Sequence, residues 1–245
     1  MSPEKCEKCG VVIEPVQMPS GKWQIPKCEC EVAAYEAQQE ANRRREAAER
    51  IGRLFKGSGL GARFKECSFE NFRKRPGTEK VYAKARGYAE DVINNIQNGK
   101  GLIIFGDYGN GKSHLAAAIT NMSLQQGFTV IFERVPKLLT KIRATYQGGE
   151  VTEYQIFKAL TEADLLTLDD AGAEKWTEWT EPTLYTIIDE RYTNNKAIII
   201  TTNSDLDELE KKVGPRAMDR LLEMCEIVEN KGTSFRKERA RTRKN

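Results

Sequence analysis

The sequence contains no uninterrupted apolar run approaching the roughly 20 residues that a helix needs to cross a bilayer. Its first residues, Met1 to Cys6, also lack the apolar stretch of a secretory signal peptide. We therefore expect a soluble, cytoplasmic protein that has no membrane partner. Thiols stay reduced in that compartment, so the six cysteines are expected to be metal ligands or buried thiols, not disulfides.

The length and composition favour a globular protein. The chain has 245 residues, of which 39% are hydrophobic and 31% are charged, which suffices for one sizeable core and a small appendage. Internal repeats and low-complexity tracts are absent. The net charge of +3 is too small to indicate a nucleic-acid partner by itself, although the basic residues are unevenly distributed.

Three regions differ in composition. Residues 1–32 hold four of the cysteines, and residues 33–61 are rich in Ala, Glu, Gln and Arg. The composition of residues 33–61 predicts an exposed, partly basic helix that ends in a flexible hinge at residues 57–61. Its arginines leave two interpretations open, a solvated helix or a contact with DNA or a protein partner. Residues 62–245 are predicted to form the main domain.

In the main domain, short apolar runs alternate with helical stretches. The predicted strands are Leu102–Phe105, Phe128–Phe132, Leu165–Leu168 and Ala197–Ile200. The predicted helices are Ser113–Gln126, Pro136–Tyr146, Thr152–Thr161 and Glu181–Tyr192. Strands that are apolar throughout and alternate with helices indicate an α/β fold with a parallel sheet covered by helices on both faces.

A glycine-rich segment follows the first of these strands and matches the pattern G-x-x-x-x-G-K-[ST]. It consists of Gly106, Asp107, Tyr108, Gly109, Asn110, Gly111, Lys112 and Ser113. Its position between a strand and a helix makes the match specific, and it predicts a phosphate-binding P-loop for ATP. Lys112 is expected to reach the β- and γ-phosphates, and the Ser113 hydroxyl is expected to coordinate Mg²⁺.

Polar residues also end two later strands. Asp169 and Asp170 follow the third apolar run, where Asp169 is expected to hold Mg²⁺ and Asp170 to orient the attacking water. Glutamate is the usual residue at the second position in ATP-hydrolysing proteins, so the shorter aspartate predicts slow turnover. Asn203 follows the fourth run and is expected to contact the γ-phosphate or the water; a turn-forming asparagine is the alternative.

The N-terminal cysteines form two closely spaced pairs, Cys6 with Cys9 and Cys28 with Cys30. Paired thiolates at the two ends of a short, loop-rich segment are typical of tetrahedral, structural Zn²⁺. The segment between them has too few apolar residues for a core, so zinc binding is expected to supply the folding free energy. The alternative is a redox-active dithiol. Cys67 and Cys225 are predicted to be packed thiols.

These motifs together resemble AAA+ ATPases of the bacterial and phage helicase-loader type. The resemblance rests on the P-loop followed by His114, on the strand that continues through Asp170 to Glu174, and on Thr201-Thr202-Asn203. Two further segments, residues 67–72 and residues 214–221, are also similar to that family. The resemblance as a whole covers roughly residues 60–240.

The resemblance implies an ATPase that binds a hexameric replicative helicase and loads it onto single-stranded DNA. It implies that Arg220, or else Arg216, is an arginine finger acting on a neighbouring subunit, and hence self-association on the helicase or DNA. It also implies a sensor arginine at Arg236, a helix position for His114 near the nucleotide, and a lid shorter than in other AAA+ proteins. A solvated pair on a helix is the alternative for Arg216 and Arg220.

Two other functions remain open at this stage. Transposition-helper ATPases of the IstB type share most of the motifs, although the cysteine pairs favour the loader type. A small-molecule P-loop kinase is the other alternative. Kinases commonly carry an arginine-rich lid, whereas here the arginines lie at residues 216–220 and in the tail.

Overall fold

The computed structural model describes residues 2–173 and 177–242. The chain forms two compact units, Met1–Glu46 and Ala47–Asn245. The predicted boundary at residue 61 therefore differs from the observed one, which lies inside the long helix. None of the described helices is both long and apolar enough to span a membrane.

The first unit contains two small antiparallel hairpins followed by the start of helix α1. Its strands are β1 (Glu4–Lys5) paired with β2 (Val12–Ile13), and β3 (Val16–Gln17) paired with β4 (Trp23–Gln24). Among the described residues of this unit, only Cys6 and Cys28 are buried. The hairpins therefore have no apolar core, and the cysteines occupy the place where one would be.

The second unit is built on a five-stranded parallel sheet with the order β6-β7-β8-β5-β9. The strands are β5 (Gly101–Phe105), β6 (Val130–Arg134), β7 (Leu165–Ala171), β8 (Ala197–Thr202) and β9 (Cys225–Glu229). Four of them confirm the predicted strands. Strand β9 was not predicted, because Glu226 and Glu229 interrupt its apolar residues and leave no continuous apolar run.

Helices cover both faces of this sheet. The helices of the described chain are α1 (Glu29–Phe55), α2 (Ala62–Lys65), α3 (Glu79–Glu90), α4 (Val92–Gln97), α5 (Lys112–Gln125), α6 (Val135–Ala144), α7 (Glu153–Glu162), α8 (Thr180–Thr193), α9 (Leu206–Val213), α10 (Pro215–Met224) and α11 (Phe235–Thr242). A short 3₁₀ helix, Thr145–Gln147, follows α6. The fold is the predicted α/β class.

Alternate residues of each strand enter two separate cores. Ile103, Leu166 and Ile198 belong to the core on one face of the sheet, whereas Leu102 and Ile199 belong to the core on the other. All five are fully buried, as expected where helices cover both faces of a parallel sheet. This rigid sheet positions the loops at the carboxyl ends of its strands.

The last part of α1 belongs to the second unit and is not an exposed helix. Ile51 and Phe55 are buried in the core that also holds Leu138 of α6 and Ile156 of α7. Burying side chains of this size contributes about 1.5–3 kcal/mol each. The expected hinge is also packed, because Phe132 N–H of strand β6 donates to the Ser58 carbonyl over 2.7 Å. Before Ala47 the helix has no buried residue.

A single described helix, α11, follows strand β9. It is eight residues long and has no buried residue. The described residues after β9 therefore form one short helix, in the region where the resemblance implied a shortened lid.

Candidate functional site

The P-loop joins strand β5, which lies between β8 and β9, to helix α5 and requires glycine at two positions. Gly106 has a φ of 133°, and a Cβ there would lie 2.3 Å from the carbonyl oxygen of Asn230. Gly111 has a φ of 105° and is the N-cap of α5. Residues that carry a Cβ rarely adopt a backbone conformation with positive φ, so glycine allows the loop to turn tightly before α5. The backbone N–H groups at the N-terminus of α5 then favour the binding of an anion.

Lys112 lies inside this loop and is only 5% exposed. Its Nζ donates to the carbonyl oxygens of Gly106 and Asp107, both at 2.7 Å, and to Asn203 Oδ1 at 2.8 Å. Burial lowers the pKa of Lys112 to about 8, against the opposing effect of the nearby Asp170 and Asp169. The ammonium is thus held in the loop by carbonyl and amide oxygens, which a phosphate can replace as the acceptor.

Ser113 and Asp169 meet at the start of α5. The Ser113 hydroxyl and Thr201 Oγ1 both hydrogen-bond Asp169, the latter over 2.7 Å. Burial raises the pKa of Asp169, while these two hydrogen bonds act in the opposite direction. A hydroxyl and a carboxylate are hard oxygen ligands of the kind Mg²⁺ prefers, so the residues fit the predicted magnesium site.

Asp170 occupies a strained position in β7, where the pairing with β8 shifts between Leu168 and Ala171. Its φ is 61°, in the left-handed region that aspartate tolerates better than most residues. Asn203 Nδ2 donates to Asp170 Oδ1 over 2.7 Å, and Arg134 Nη2 donates to Oδ2 over 2.6 Å. Asp170, Asn203 and Lys112 therefore meet at one edge of the sheet.

Three residues at this edge were missed by sequence reasoning. Arg134 ends strand β6, Asn230 follows strand β9, and Arg75 lies in the segment that precedes α3. None of them belongs to a local motif, and the strand ends beside the P-loop were the only available signal. Arg75 and Asn230 both donate to the carbonyl oxygen of Asn110.

The C-terminal helix begins beside the P-loop. Phe235 N–H donates to the Gly109 carbonyl over 3.0 Å, and Arg236 Cδ lies 3.7 Å from the position of a Gly109 Cβ. Arg236 is also close enough to Lys112 to lower its pKa. The geometry is compatible with the predicted sensor role of Arg236. Tyr108, at the tip of the loop, is 73% exposed.

His114 faces the segment before α3. Its Nε2 hydrogen-bonds the Ser68 carbonyl over 2.8 Å, and its ring packs edge-on against Phe72. These contacts give it a packing role in the first turn of α5. The predicted contact of His114 with nucleotide stays a prediction.

The two candidate finger residues differ in their surroundings, although both lie on α10. Arg220 forms an ion pair with Asp189 of α8, and its guanidinium carbon lies 4.9 Å from the centre of the Tyr192 ring. Arg216 is exposed at the start of the same helix. Arg220 is therefore engaged within its own chain, whereas Arg216 points to the surface. Glu174, which belongs to the segment that resembles the family, lies outside the described residues.

The four N-terminal cysteines converge on one point of the first unit. Their Sγ atoms all lie within 4.8 Å of one another, with 3.3 Å between Cys9 and Cys28 and 3.5 Å between Cys6 and Cys30. Thiolates at about 2.3 Å from a tetrahedral Zn²⁺ stand about 3.8 Å apart, so the donor set fits the metal. The backbone N–H groups of Cys9 and Lys8 lower the pKa of Cys6 to about 7, which favours the thiolate. The thiols of Cys67 and Cys225 are free, and burial raises the pKa of each.

Comparison with known proteins identifies the family. The sequence model described as "IstB-like ATP binding protein" matches residues 37–243. The replicative helicase loader DnaC of Escherichia coli K12 is 32% identical over 197 residues, covering 78% of this chain and 79% of that protein. DnaC of Buchnera aphidicola from Schizaphis graminum is 29% identical over 180 residues, covering 73% and 72%.

Solved structures agree with this fold. A crystal structure of the DnaC helicase loader superposes with a TM-score of 0.62 at 25% identity, covering 70% of this chain and 100% of that one. The replication initiator DnaA, solved with AMPPCP and single-stranded DNA, has a TM-score of 0.60 at 23% identity, covering 75% and 56%. At that identity DnaA supports the fold alone. The chain therefore belongs to the IstB-like ATP-binding proteins and, among them, to the AAA+ ATPases of the replicative helicase loader type.

Proposed function

We propose that this protein hydrolyses ATP slowly and uses the nucleotide cycle to bind a hexameric replicative helicase and place it on single-stranded DNA in the cytoplasm. The observation that carries the proposal is the convergence of Lys112, Asp169, Asp170 and Asn203 at one sheet edge, in a chain that matches DnaC over most of its length.

In this proposal Lys112 binds the β- and γ-phosphates, and Ser113 and Asp169 hold the Mg²⁺ that neutralises phosphate charge. Asp170 and Asn203 orient the attacking water. Slow turnover follows from Asp170, because both of its carboxylate oxygens already accept hydrogen bonds and its side chain is one methylene shorter than glutamate. We expect DNA or the helicase to stimulate turnover by rearranging these contacts.

A pair of aromatic rings, one exposed and one partly buried, supports the proposed contact with single-stranded DNA. Tyr146 is 56% exposed and lies edge-on to Trp179, with 6.2 Å between the ring centroids. The Arg143 guanidinium lies 4.6 Å from the Trp179 ring centroid. Aromatic rings beside a cation bind unpaired bases by stacking while the cation attracts the phosphate backbone. We assign single-stranded DNA binding to this surface, which we call the stacking surface.

The first unit is the proposed contact with the helicase. Several of its apolar side chains are between 44% and 57% exposed: Val11, Val12, Val16, Met18 and Trp23. Apolar side chains concentrated on a small module are typical of protein–protein contact sites. Structural zinc at the four cysteines would hold the two hairpins that carry them. Self-association on the helicase or DNA would then bring Arg216 of one copy towards the P-loop of another.

Co-purification with the replicative helicase, in the presence and absence of ATP, tests this function. We expect a nucleotide-dependent complex and single-stranded-DNA-stimulated ATPase activity. Because the matching family model is named for the IstB type, capture of a transposase in place of the helicase would favour the transposition-helper alternative. ATP consumption stimulated by a nucleoside or sugar would favour a kinase.

A further inference from the structure

The carbonyl oxygen of Asn110 accepts two hydrogen bonds from outside the P-loop. Arg75 Nη2 donates to it over 2.7 Å and Asn230 Nδ2 over 3.2 Å. Asn110 and Asn230 also form a reciprocal hydrogen bond, in which the Asn110 side-chain Nδ2 donates to the Asn230 carbonyl over 2.8 Å. Asn110 is fully buried and Asn230 is 1% exposed. One peptide group of the loop is thus held by two side chains from separate parts of the chain.

Both donors are themselves fixed. Arg75 N–H donates to Thr78 Oγ1, which donates back to the Arg75 carbonyl over 2.7 Å, and Thr78 is fully buried. Asn230 N–H donates to the Phe105 carbonyl over 2.7 Å, and its Oδ1 accepts from Gly232 N–H. The backbone of Arg75 and both the backbone and the side chain of Asn230 are thus held by contacts outside the P-loop.

Holding this carbonyl determines the direction of the next N–H group. The peptide between Asn110 and Gly111 is trans, so the Gly111 N–H points opposite to the Asn110 carbonyl. The carbonyl points out of the loop, towards Arg75 and Asn230, and the Gly111 N–H therefore points to the other side. Gly111 is the N-cap of α5, where a phosphate is favoured.

The contact of Arg75 is also poorly explained by stability alone. Its Nε and Nη1 atoms are buried and have no hydrogen-bond partner among the described residues. Unpartnered buried N–H groups destabilise a fold, because they lose their hydrogen bonds to water and gain none in the protein. A guanidinium with two unpartnered buried nitrogens, whose third nitrogen donates to the P-loop, points to a role in ligand binding.

We infer that Arg75 and Asn230 are positioning residues for nucleotide binding, which orient the Asn110–Gly111 peptide so that the Gly111 N–H faces the phosphates. The inference rests on the P-loop being the nucleotide site. A charged donor on the carbonyl also polarises the peptide and strengthens its N–H as a donor. Because the two donors hold the same oxygen, either one keeps part of the orientation when the other is removed.

The experiment measures the affinity for Mg²⁺-ADP by calorimetry in the wild type, Arg75→Ala, Asn230→Ala and the double variant. We expect each single variant to bind roughly three- to tenfold more weakly. The double variant should lose more than the product of the two single losses, because no donor is left on the carbonyl. Arg75→Lys, which keeps a charged donor, should recover part of the affinity.

Two matched controls separate positioning from stability. Asn95 is a buried asparagine that also donates to a backbone carbonyl, that of Tyr88, so Asn95→Ala should lower the melting temperature and leave the affinity unchanged. Arg73 lies 5.4 Å from the same Phe235 ring that Arg75 contacts, and Arg73→Ala should bind like the wild type.

A folded double variant that binds Mg²⁺-ADP within twofold of the wild type would overturn the inference. So would a loss in Asn95→Ala as large as that in Asn230→Ala, or a double loss no greater than the product of the single ones. A wild type that binds neither ADP nor ATP would instead refute the nucleotide site itself.

Discussion

Arg134 at the end of β6 donates to Asp170 in the adjacent strand β7, with 2.6 Å between Nη2 and Oδ2. Asn203 occupies the other oxygen of the same carboxylate. The Arg134 side chain is 56% exposed, and such ion pairs are worth about 0–1 kcal/mol. The pair therefore restrains Asp170 weakly, and a ligand at the surface is able to break it.

We predict that Arg134→Ala raises the basal ATPase rate by up to about fivefold, because one oxygen of Asp170 becomes available to water. Steady-state turnover at saturating ATP is the measurement. Lys137→Ala is the matched control, since Lys137 pairs with Glu133 on the same edge. A rate below that of the wild type would mean that Arg134 assists the reaction.

Lys112→Ala should weaken ATP binding by roughly ten- to a hundredfold or more, because it removes a charged donor to the phosphates. Binding of Mg²⁺-ATP by calorimetry and circular dichroism of the folded protein are the measurements. Lys231→Ala is the control, since Lys231 lies near the same sheet edge but its side chain is 71% exposed. Unchanged ATP binding in folded Lys112→Ala would refute the phosphate site.

The purified protein is expected to carry close to one Zn²⁺ per chain, bound by Cys6, Cys9, Cys28 and Cys30. Cys6→Ser/Cys9→Ser should lose the metal, measured by atomic absorption, and keep its ATP affinity, because the P-loop belongs to the other compact unit. Cys67→Ser should keep both. Metal-free wild type, purified without chelator, would contradict the zinc site.

Arg216→Ala should bind ATP normally yet fail to support turnover in a neighbouring copy, with a loss of about 10³-fold or more in kcat. Mixing it with Lys112→Ala should restore part of the activity, because one type of interface then has both an intact P-loop and an intact Arg216. Arg220→Ala is the comparison, and its main expected effect is a lower melting temperature from loss of the Asp189 pair.

If the Arg216→Ala mixture stays inactive where wild-type copies assemble, and the Arg220→Ala mixture recovers, then Arg220 is the finger. That result would require Arg220 to leave Asp189 and Tyr192 when copies associate.

Tyr146→Ala should weaken single-stranded DNA binding by roughly fivefold to a hundredfold, since stacking of a base on an aromatic ring is worth about 1–3 kcal/mol. Fluorescence anisotropy with an oligothymidylate measures the effect. Tyr146→Phe keeps the ring and loses only the hydroxyl contacts with Glu153 and Trp179, so it should bind like the wild type. Equal binding by all three proteins would move the DNA contact away from the stacking surface.

The P-loop, the cysteine cluster and most of the sheet could be predicted from the sequence, because each depends on local chemistry. The P-loop needs glycines, a lysine and a hydroxyl at fixed spacing, and zinc needs thiols in pairs, so both patterns are visible without a fold. Four of the five sheet strands were also predictable, because strands covered on both faces are apolar throughout. Edge strand β9 was not, since Glu226 and Glu229 interrupt its apolar residues.

The tertiary structure alone decided which distant residues reach the site. Arg134 contacts Asp170 across 36 positions of the chain, and Asn230 contacts Asn110 across 120. It also decided that α1 joins the second unit from Ala47 onwards, through the burial of Ile51 and Phe55. Arg134 and Asn230 belong to no spaced motif, because their partners are set by the packing of strands and helices and not by neighbouring positions in the chain.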